Sequence, residues 1–373
     1  MTVAVIYGGK SGEHEVSLTS GAAVARHIDK KHTIVLIAIT KDGRWFLQDD
    51  AELERIRKDE KAAFRISEKA GNEISVSPGM GMNAFSTSEK TLRIDVVFPV
   101  LHGTYGEDGT IQGLLEMADI PYAGCPVMSS SLTMDKEKTK AVWQAAGLPV
   151  VPYIVIRRTD ILDSRVYDSL ISKAVETLQF PLFVKPCSAG SSDGASKAAN
   201  PRELSAALME AFHWDDKVLI EKAVNAKEIE CGVTGNAMTA PADSEIESVR
   251  VFGPGEIILT HEFYDYNAKY TDSDSVRIPA DIPSEVLEKV RKTAAAAYKA
   301  VDAAGFSRVD FFYNKDNGEI YLNEINTIPG FTSISMFPKV CDYEGLHFTE
   351  LTELLINEGI LRYKSHAALQ TSR

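Results

Sequence analysis

Near the C-terminal end, Arg308-Val309-Asp310 and Glu324-Ile325-Asn326 lie in two apolar runs separated by Asp316-Asn317-Gly318. That spacing suits a hairpin with a three-residue loop whose last residue is left-handed. The pairing sets Asp310 opposite Glu324 and Arg308 opposite Asn326, with Phe312 and Leu322 deeper on the same face. Two acids and an amide converging on a sheet are ligands for a hard cation, and Mg²⁺ takes a few carboxylates together with phosphate oxygens. An arginine beside them would stabilise an anionic transition state. A structural ion pair would use the same residues, and a two-residue loop would scatter the cluster.

Phe183-Val184-Lys185-Pro186 is a strand that delivers a lysine into the small-residue loop Ser188 to Gly194. Such a loop lets backbone N–H groups approach phosphate oxygens, and the lysine adds a point charge. A plain surface loop would read the same way. Ile220-Glu221-Lys222 ends a strand before a turn, where backbone groups could meet a purine edge, and the Glu228 carboxylate could accept from ribose hydroxyls. Solvated charges are the alternative. His102-Gly103 follows a buried parallel strand, at the end where ligands bind in such sheets. His261 to Tyr270 mixes aromatics with Lys269 ahead of a polar stretch, as a mobile lid would. It lacks the HExxH spacing of a zinc protease.

Phosphate fingerprints fail at the N-terminus. Gly9-Lys10-Ser11 would end a Walker A motif, but the required earlier glycine is Ala4. Gly8-Gly9-Lys10-Ser11-Gly12 breaks the dinucleotide pattern, which argues against a nicotinamide oxidoreductase. The turn still suits an anionic group at a helix start.

The elements that carry these residues alternate. Strands are predicted at 2–7, 33–39 and 95–100, with helices over 13–28 and from 111, as in a parallel α/β sheet. A polar insertion spans 41–93. A helix is expected over 129–146, strands at 151–156, 182–185 and 218–220, and helices at 164–178 and 201–212. Several strands are expected within 228–260. A long helix follows from Pro283 to about 303, then strands 307–313 and 319–325, a last helix over 346–357, and a frayed tail after Tyr363.

The chain has 373 residues, enough for two or three domains. Its 40 Lys and Arg against 53 Asp and Glu give a net charge of −13, which repels nucleic acid and anionic membrane. A phosphate site must then be a local basic pocket. No segment reaches the ~18 apolar residues of a membrane span. The start does not read as a signal peptide. Cys125, Cys187, Cys231 and Cys341 form no CxxC, so buried or free thiols in a reducing cytoplasm are expected.

Taken in order, these motifs resemble the D-alanine–D-alanine ligases of the ATP-grasp superfamily over about residues 3–357. The anchors are Gly8-Gly9-x-Ser11 through Glu15-Val16-Ser17, His102-Gly103 with Gly106-Glu107-Asp108-Gly109, Met134-Asp135-Lys136, Lys185-Pro186, Gly190-Ser191-Ser192, Tyr264-Asp265-Tyr266 with Ala268-Lys269-Tyr270, Arg308-Val309-Asp310 and Glu324-Ile325-Asn326-Thr327. The resemblance implies a three-domain α/β ligase: an N-terminal parallel α/β domain (1–128) and two α+β domains (129–226 and 227–373, with a lid at about 262–277) clamping ATP. It implies ligation of two D-alanines through an acyl phosphate, for peptidoglycan precursors. Lys136, Lys185 and Lys269 would hold ATP phosphates, with Ser191 and Ser192 beside them. Glu221 and Lys222 would border adenine, and Glu228 the ribose. Asp310, Glu324 and Asn326 would bind two Mg²⁺ ions, for which Mn²⁺ could substitute. Arg308 and a backbone N–H near Gly330 would stabilise the oxyanion. Glu15 would hold the first ammonium, with His102 nearby, and Ser335 and Met336 would border the second subsite. Ser191 and Tyr270 would join the lid to the pocket. The same likeness implies a cytoplasmic homodimer. D-serine, or less readily D-lactate, as second substrate and a non-catalytic sensor on this scaffold are the alternatives.

Overall fold

A computed structural model describes residues 1–236, 249–258 and 276–370. The first sheet is parallel at its centre. Strand β1 (Thr2–Gly8) lies between β2 (Thr33–Ile39) and β7 (Val96–Val100), and β3 (Trp45–Leu47) adds an antiparallel edge. β1, β2 and β7 are nearly continuous apolar runs because both faces are covered. Helix α1 (His14–His27) leaves β1 through Gly8, whose φ of +90° turns the chain. A Cβ there would strike the carbonyl of Ile39, so glycine is required. Beyond β3, the insertion holds α2 (Asp50–Lys58) and a small antiparallel sheet of β4 (Ser75–Val76), β5 (Phe85–Ser86) and β6 (Thr91–Leu92). Helix α3 (Thr110–Met117) follows β7.

The expected helix over 129–146 is two helices, α4 (Val127–Met134) and α5 (Lys136–Ala145). Asp135 stands between them in an extended conformation and accepts from the backbone N–H of Lys138, a cap that restarts the helix. Lys136 is thereby the first residue of α5.

The second sheet is antiparallel, in the order β10-β9-β11-β8. Its strands are β8 (Tyr153–Arg157), β9 (Leu182–Pro186), β10 (Ser196–Ala198) and β11 (Lys217–Lys222). Helices α6 (Ser164–Leu178) and α7 (Pro201–Ala211) close one apolar face through Ala174, Leu204 and Leu208. The third sheet is also antiparallel, in the order β14-β13-β12-β15-β16. It comprises β12 (Ala226–Asn236), β13 (Val249–Ile257), β14 (Val276–Arg277), β15 (Ala304–Asn314) and β16 (Ile320–Asn326). Helix α8 (Ser284–Ala300) packs on it through Val290, Ala294 and Tyr298.

The β15–β16 hairpin sets Asp310 opposite Glu324 and Arg308 opposite Asn326, as the spacing predicts. The route differs. The Asn314 N–H donates to Glu319 O, so the loop has four residues, and Phe311 rather than Phe312 faces Leu322. Between Asp310 and Phe311 the register shifts by one, leaving Asn323 as an extra residue on β16. The longer loop and the bulge cancel, which restores the pairing at the polar end. Phe312 is only half-buried, whereas Phe311 and Leu322 are in the core.

Two further corrections concern the C-terminus. Helix α9 (Met336–Tyr343) was not expected. The last helix, α10, runs from Phe348 to Ala367, past the expected end at 357 and through the tail expected to fray. Gly359 does not stop it: a Cβ there would collide with the Tyr122 carbonyl, so this glycine permits close packing. One turn on, Arg362 is buried over the Tyr122 ring and donates to its hydroxyl. Leu351, Leu355 and Ile356 of α10 share a core with Val24 and Ile28 at α1, and Phe348 stacks on His27. Phe331 forms a centre between sheets, with ring centroids 6.0 Å from Phe98 on β7, 5.3 Å from Phe306 on β15 and 5.3 Å from Phe337.

Candidate active site

A cavity opens where the three sheets meet. It is lined by Glu13 and His102 from the first, Lys136 and Ser191 from the second, and Arg308, Glu324, Asn326 and Gly330 from the third. The hairpin supplies the last of these groups. The Arg308 guanidinium clasps Asp310 through two bonds of 2.7 Å and lies 3.1 Å from Glu230 on the adjacent strand β12. Burial opposes its charge, but Asp310 and Glu230 outweigh that and hold its pKa well above the usual range. Asn326 donates its amide N–H to Asp310 at 3.0 Å, which leaves the amide oxygen as the atom to meet a cation. Lys136, placed by the break at Asp135, donates to Ala189 O at 2.8 Å and lies 3.3 Å from Glu324.

Asp310, Glu230 and Glu324 carry three negative charges against two from Arg308 and Lys136. This surplus, with hard oxygen donors and room for phosphate oxygens, fits Mg²⁺. No group of three or more His, Cys, Asp or Glu forms a metal cluster among the described residues, so a cation here would draw its remaining ligands from substrate and water.

The first sheet presents Glu13, not Glu15. Glu15 is exposed and pairs with Lys41 at 2.7 Å, away from the cavity. Glu13, one residue before α1, accepts a hydrogen bond from Ser191 Oγ of the serine loop. Ser191 and Ser192 both hold positive φ, of 51° and 62°, a strained turn for non-glycine residues. Asp193 beside them is held above the usual carboxylate range by burial and by Glu13.

His102 is buried, with both ring nitrogens engaged. Nδ1 lies 2.9 Å from the Ile328 carbonyl and must donate. Nε2 lies 3.0 Å from Ser20 Oγ and accepts from that hydroxyl when the ring is neutral. Burial lowers its pKa, which favours the neutral ring. Glu107 accepts from the N–H groups of Gly103 and Ile328 at 3.1 and 3.2 Å. Burial, and then the charge of Glu13, push its carboxyl up to about 8. These two residues fasten the segment leading to Gly330. Ser335 lies directly behind Gly330, 2.8 Å from where a Cβ would stand, and binds Thr332; Met336 is buried at the start of α9. Neither lines the cavity.

The other expected nucleotide contacts lie outside this cavity. Lys185 is buried, 2.8 Å from Glu221 and 2.9 Å from Oδ1 of the bulged Asn323. Glu221 points inward between Lys185 and Lys140, so only its backbone could meet a base. Lys222 reaches Gln179 O at 3.1 Å, and Glu228 lies half-buried on β12. Lys269, Tyr270 and the lid up to residue 275 fall outside the described residues. Sequence reasoning missed Glu13, Glu230 and Lys140 and gave Glu107 no role. The missed signal at Glu13 was its place just ahead of a helix start that follows a ligand-side strand end.

Residues 2–125 match the model for the D-ala D-ala ligase N-terminus, and residues 142–357 that for the D-ala D-ala ligase C-terminus. A D-alanine--D-alanine ligase of Treponema denticola is 50% identical over 376 residues, covering 100% of each chain. One from Acetivibrio thermocellus is 42% identical, covering 98% of this chain and 97% of the relative. Among solved structures, the D-alanine-D-alanine ligase of Coxiella burnetii is 33% identical with a TM-score of 0.81, covering 98% of this chain and 96% of that one. VanG D-Ala:D-Ser ligase of Enterococcus faecalis is 37% identical with a TM-score of 0.80, covering 96% and 99%.

Proposed function

Because this chain belongs to the D-alanine–D-alanine ligase family of three-domain ATP-grasp enzymes and joins two D-alanines at the expense of ATP, we propose how its own residues perform that reaction. The observation that carries the reading is the hairpin register that brings Arg308, Glu324 and Asn326 into one cavity with Glu13 and Lys136 and sets Asp310 against Arg308 and Asn326 behind them.

The first D-alanine binds with its ammonium at Glu13 and its carboxylate toward Arg308. Its carboxylate oxygen takes the γ-phosphoryl group of ATP, giving an acyl phosphate and ADP. Lys136 and Lys185 hold the phosphates, with Lys269 from the lid, and Ser191 and Ser192 offer the loop. The strand end at Glu221 and Lys222 meets adenine through its backbone, and Glu228 meets the ribose. Asp310, Glu324 and Asn326 would hold two Mg²⁺ ions, or Mn²⁺ in their place, and the bound ions would offset phosphate charge. The amine of the second D-alanine, bordered by Ser335 and Met336, attacks the acyl carbon. Arg308 and the Gly330 N–H stabilise the oxyanion, and the C–O bond to phosphate then breaks. Tyr270 and Ser191 join the lid to the pocket, which keeps water from the acyl phosphate.

The three sheets support domains at 1–128, 129–226 and 227–373. No described helix is long and apolar enough to cross a membrane. Consumption of ATP for a peptidoglycan precursor fits a cytoplasmic enzyme, and a homodimer belongs to the same reading, checked by light scattering.

The test is ADP release with MgATP and D-alanine, alone and against D-serine or D-lactate, with products weighed by mass spectrometry. D-alanyl-D-alanine dominant in every mixture is expected. The D-serine alternative has the 37% likeness to the D-Ala:D-Ser ligase behind it, less than the D-alanine reading has, and a dominant mixed D-alanyl-D-serine product would establish it. ATP binding without ADP from any pair would overturn the catalytic assignment.

A further inference from the structure

Lys140 has no part in the mechanism above, yet its side chain has no exposed surface. It lies on α5 one turn after Lys136. Its Nζ is 2.9 Å from Glu221 Oε1 and donates to the Leu322 carbonyl of β16 at 3.4 Å. The other Glu221 oxygen is 2.8 Å from Lys185, which also donates to Asn323. One carboxylate on β11 is thus shared by ammonium groups from α5 and β9, and β16 closes the far side.

Burial alone would raise Glu221, but Lys140 and Lys185 overcome it and hold the carboxyl below its usual range. Burial pulls Lys140 down to about 8, against the attraction of Glu221, so it is charged at neutral pH. The group therefore carries a net charge of +1. A single ion pair would satisfy Glu221. A third buried charge is costly unless something else uses it. The surplus lies where α5 and β9 meet β16, and Lys185, 8% exposed, is the member of the group nearest to solvent.

We propose that Lys140 is a positioning residue for the nucleotide: by engaging Glu221 it keeps that carboxylate from cancelling Lys185, and so preserves a positive field for the ATP phosphates. This rests on the ligase reading. With Lys140 removed, Glu221 neutralises Lys185 and the net charge falls to zero. Removing the Glu221 charge as well returns it to +1.

The experiment is calorimetric binding of the β,γ-imido analogue of ATP with Mg²⁺ to the full chain. The variants are Lys140→Met and the double variant Lys140→Met/Glu221→Gln, each checked by thermal melting. Lys140→Met should weaken binding about tenfold, the effect of one lost charge in a poorly screened site. It should leave the KM for D-alanine unchanged at saturating ATP. The double variant should return Kd to within about threefold of the unmodified protein. A Lys140→Met protein that melts earlier but binds the analogue normally overturns the proposal, as does a double variant as weak as the single one. If the single variant does not fold, the double variant decides alone, and a tenfold loss there overturns the idea. Unmodified protein that binds no analogue would instead overturn the ligase reading.

Discussion

Glu13 and Glu15 are two residues apart, and only one of them meets the cavity. A helix turns about 100° per residue, so residues two apart point in widely different directions. The motif from Ser11 to Ser17 was legible in the sequence, but which of its acids faces the ligand depended on where the helix begins. Glu13→Gln leaves the substrate ammonium without its charge partner and is expected to lower kcat/KM for D-alanine by about a hundredfold, and Glu15→Gln by less than about threefold, in coupled ADP assays. Arg308→Ala removes the cation held by Asp310 and Glu230, and turnover should fall by about 10²–10³. Near-normal kcat would exclude its oxyanion role. Glu107 carries a pH effect whose sign is fixed. Its folded pKa, about 8, lies above the unfolded value, so the folded chain binds the proton more tightly. That stabilisation is complete below the ordinary carboxylate range and is lost as pH rises through about 8. Melting temperature should fall between pH 6 and pH 9, and the fall should be smaller in Glu107→Gln.

Elements came through better than their ends. The apolar runs at 2–7, 33–39 and 95–100 read as buried strands and fold as such with ends shifted by at most one residue, and the 164–178 helix keeps its expected bounds. The 129–146 helix was misread because its apolar spacing continues through Asp135, and only the cap hydrogen bond breaks it. The hairpin register was right at Asp310 because a longer loop and a bulge at Asn323 compensate, which no pattern of residue types reveals. The helix break has a direct use: it aims Lys136 into the cavity. Asp135→Ala should destabilise the protein by about 1 kcal/mol, as cap losses do. It should also raise the KM for ATP more than it lowers kcat, measured by melting and by initial rates.

At the scale of the molecule, the first and third sheets are joined by apolar contacts around Phe331, whereas the second meets the cavity through polar ones. Lys136 to Glu324, Lys185 to Asn323 and Ser191 to Glu13 are bonds that substrates could replace. Phe331→Ala should destabilise by about 3–5 kcal/mol, visible as an earlier melt with loss of the Gly330 segment's activity. Such long-range packing could not be read from the chain, since Phe98, Phe306 and Phe331 lie far apart in sequence. The same holds for α10, which covers α1 and the first sheet with Leu351, Leu355 and Ile356. On the ribosome this has a cost in time. The central strands of the first sheet and α1 are complete at Val100, but the last helix that packs over them begins at Phe348. At about 5–20 residues per second, roughly 12–50 s pass before it emerges. For that interval the apolar surface of α1 and β7 that Leu351, Leu355 and Ile356 later cover stays open to water, which makes it the surface of the nascent chain most exposed to aggregation.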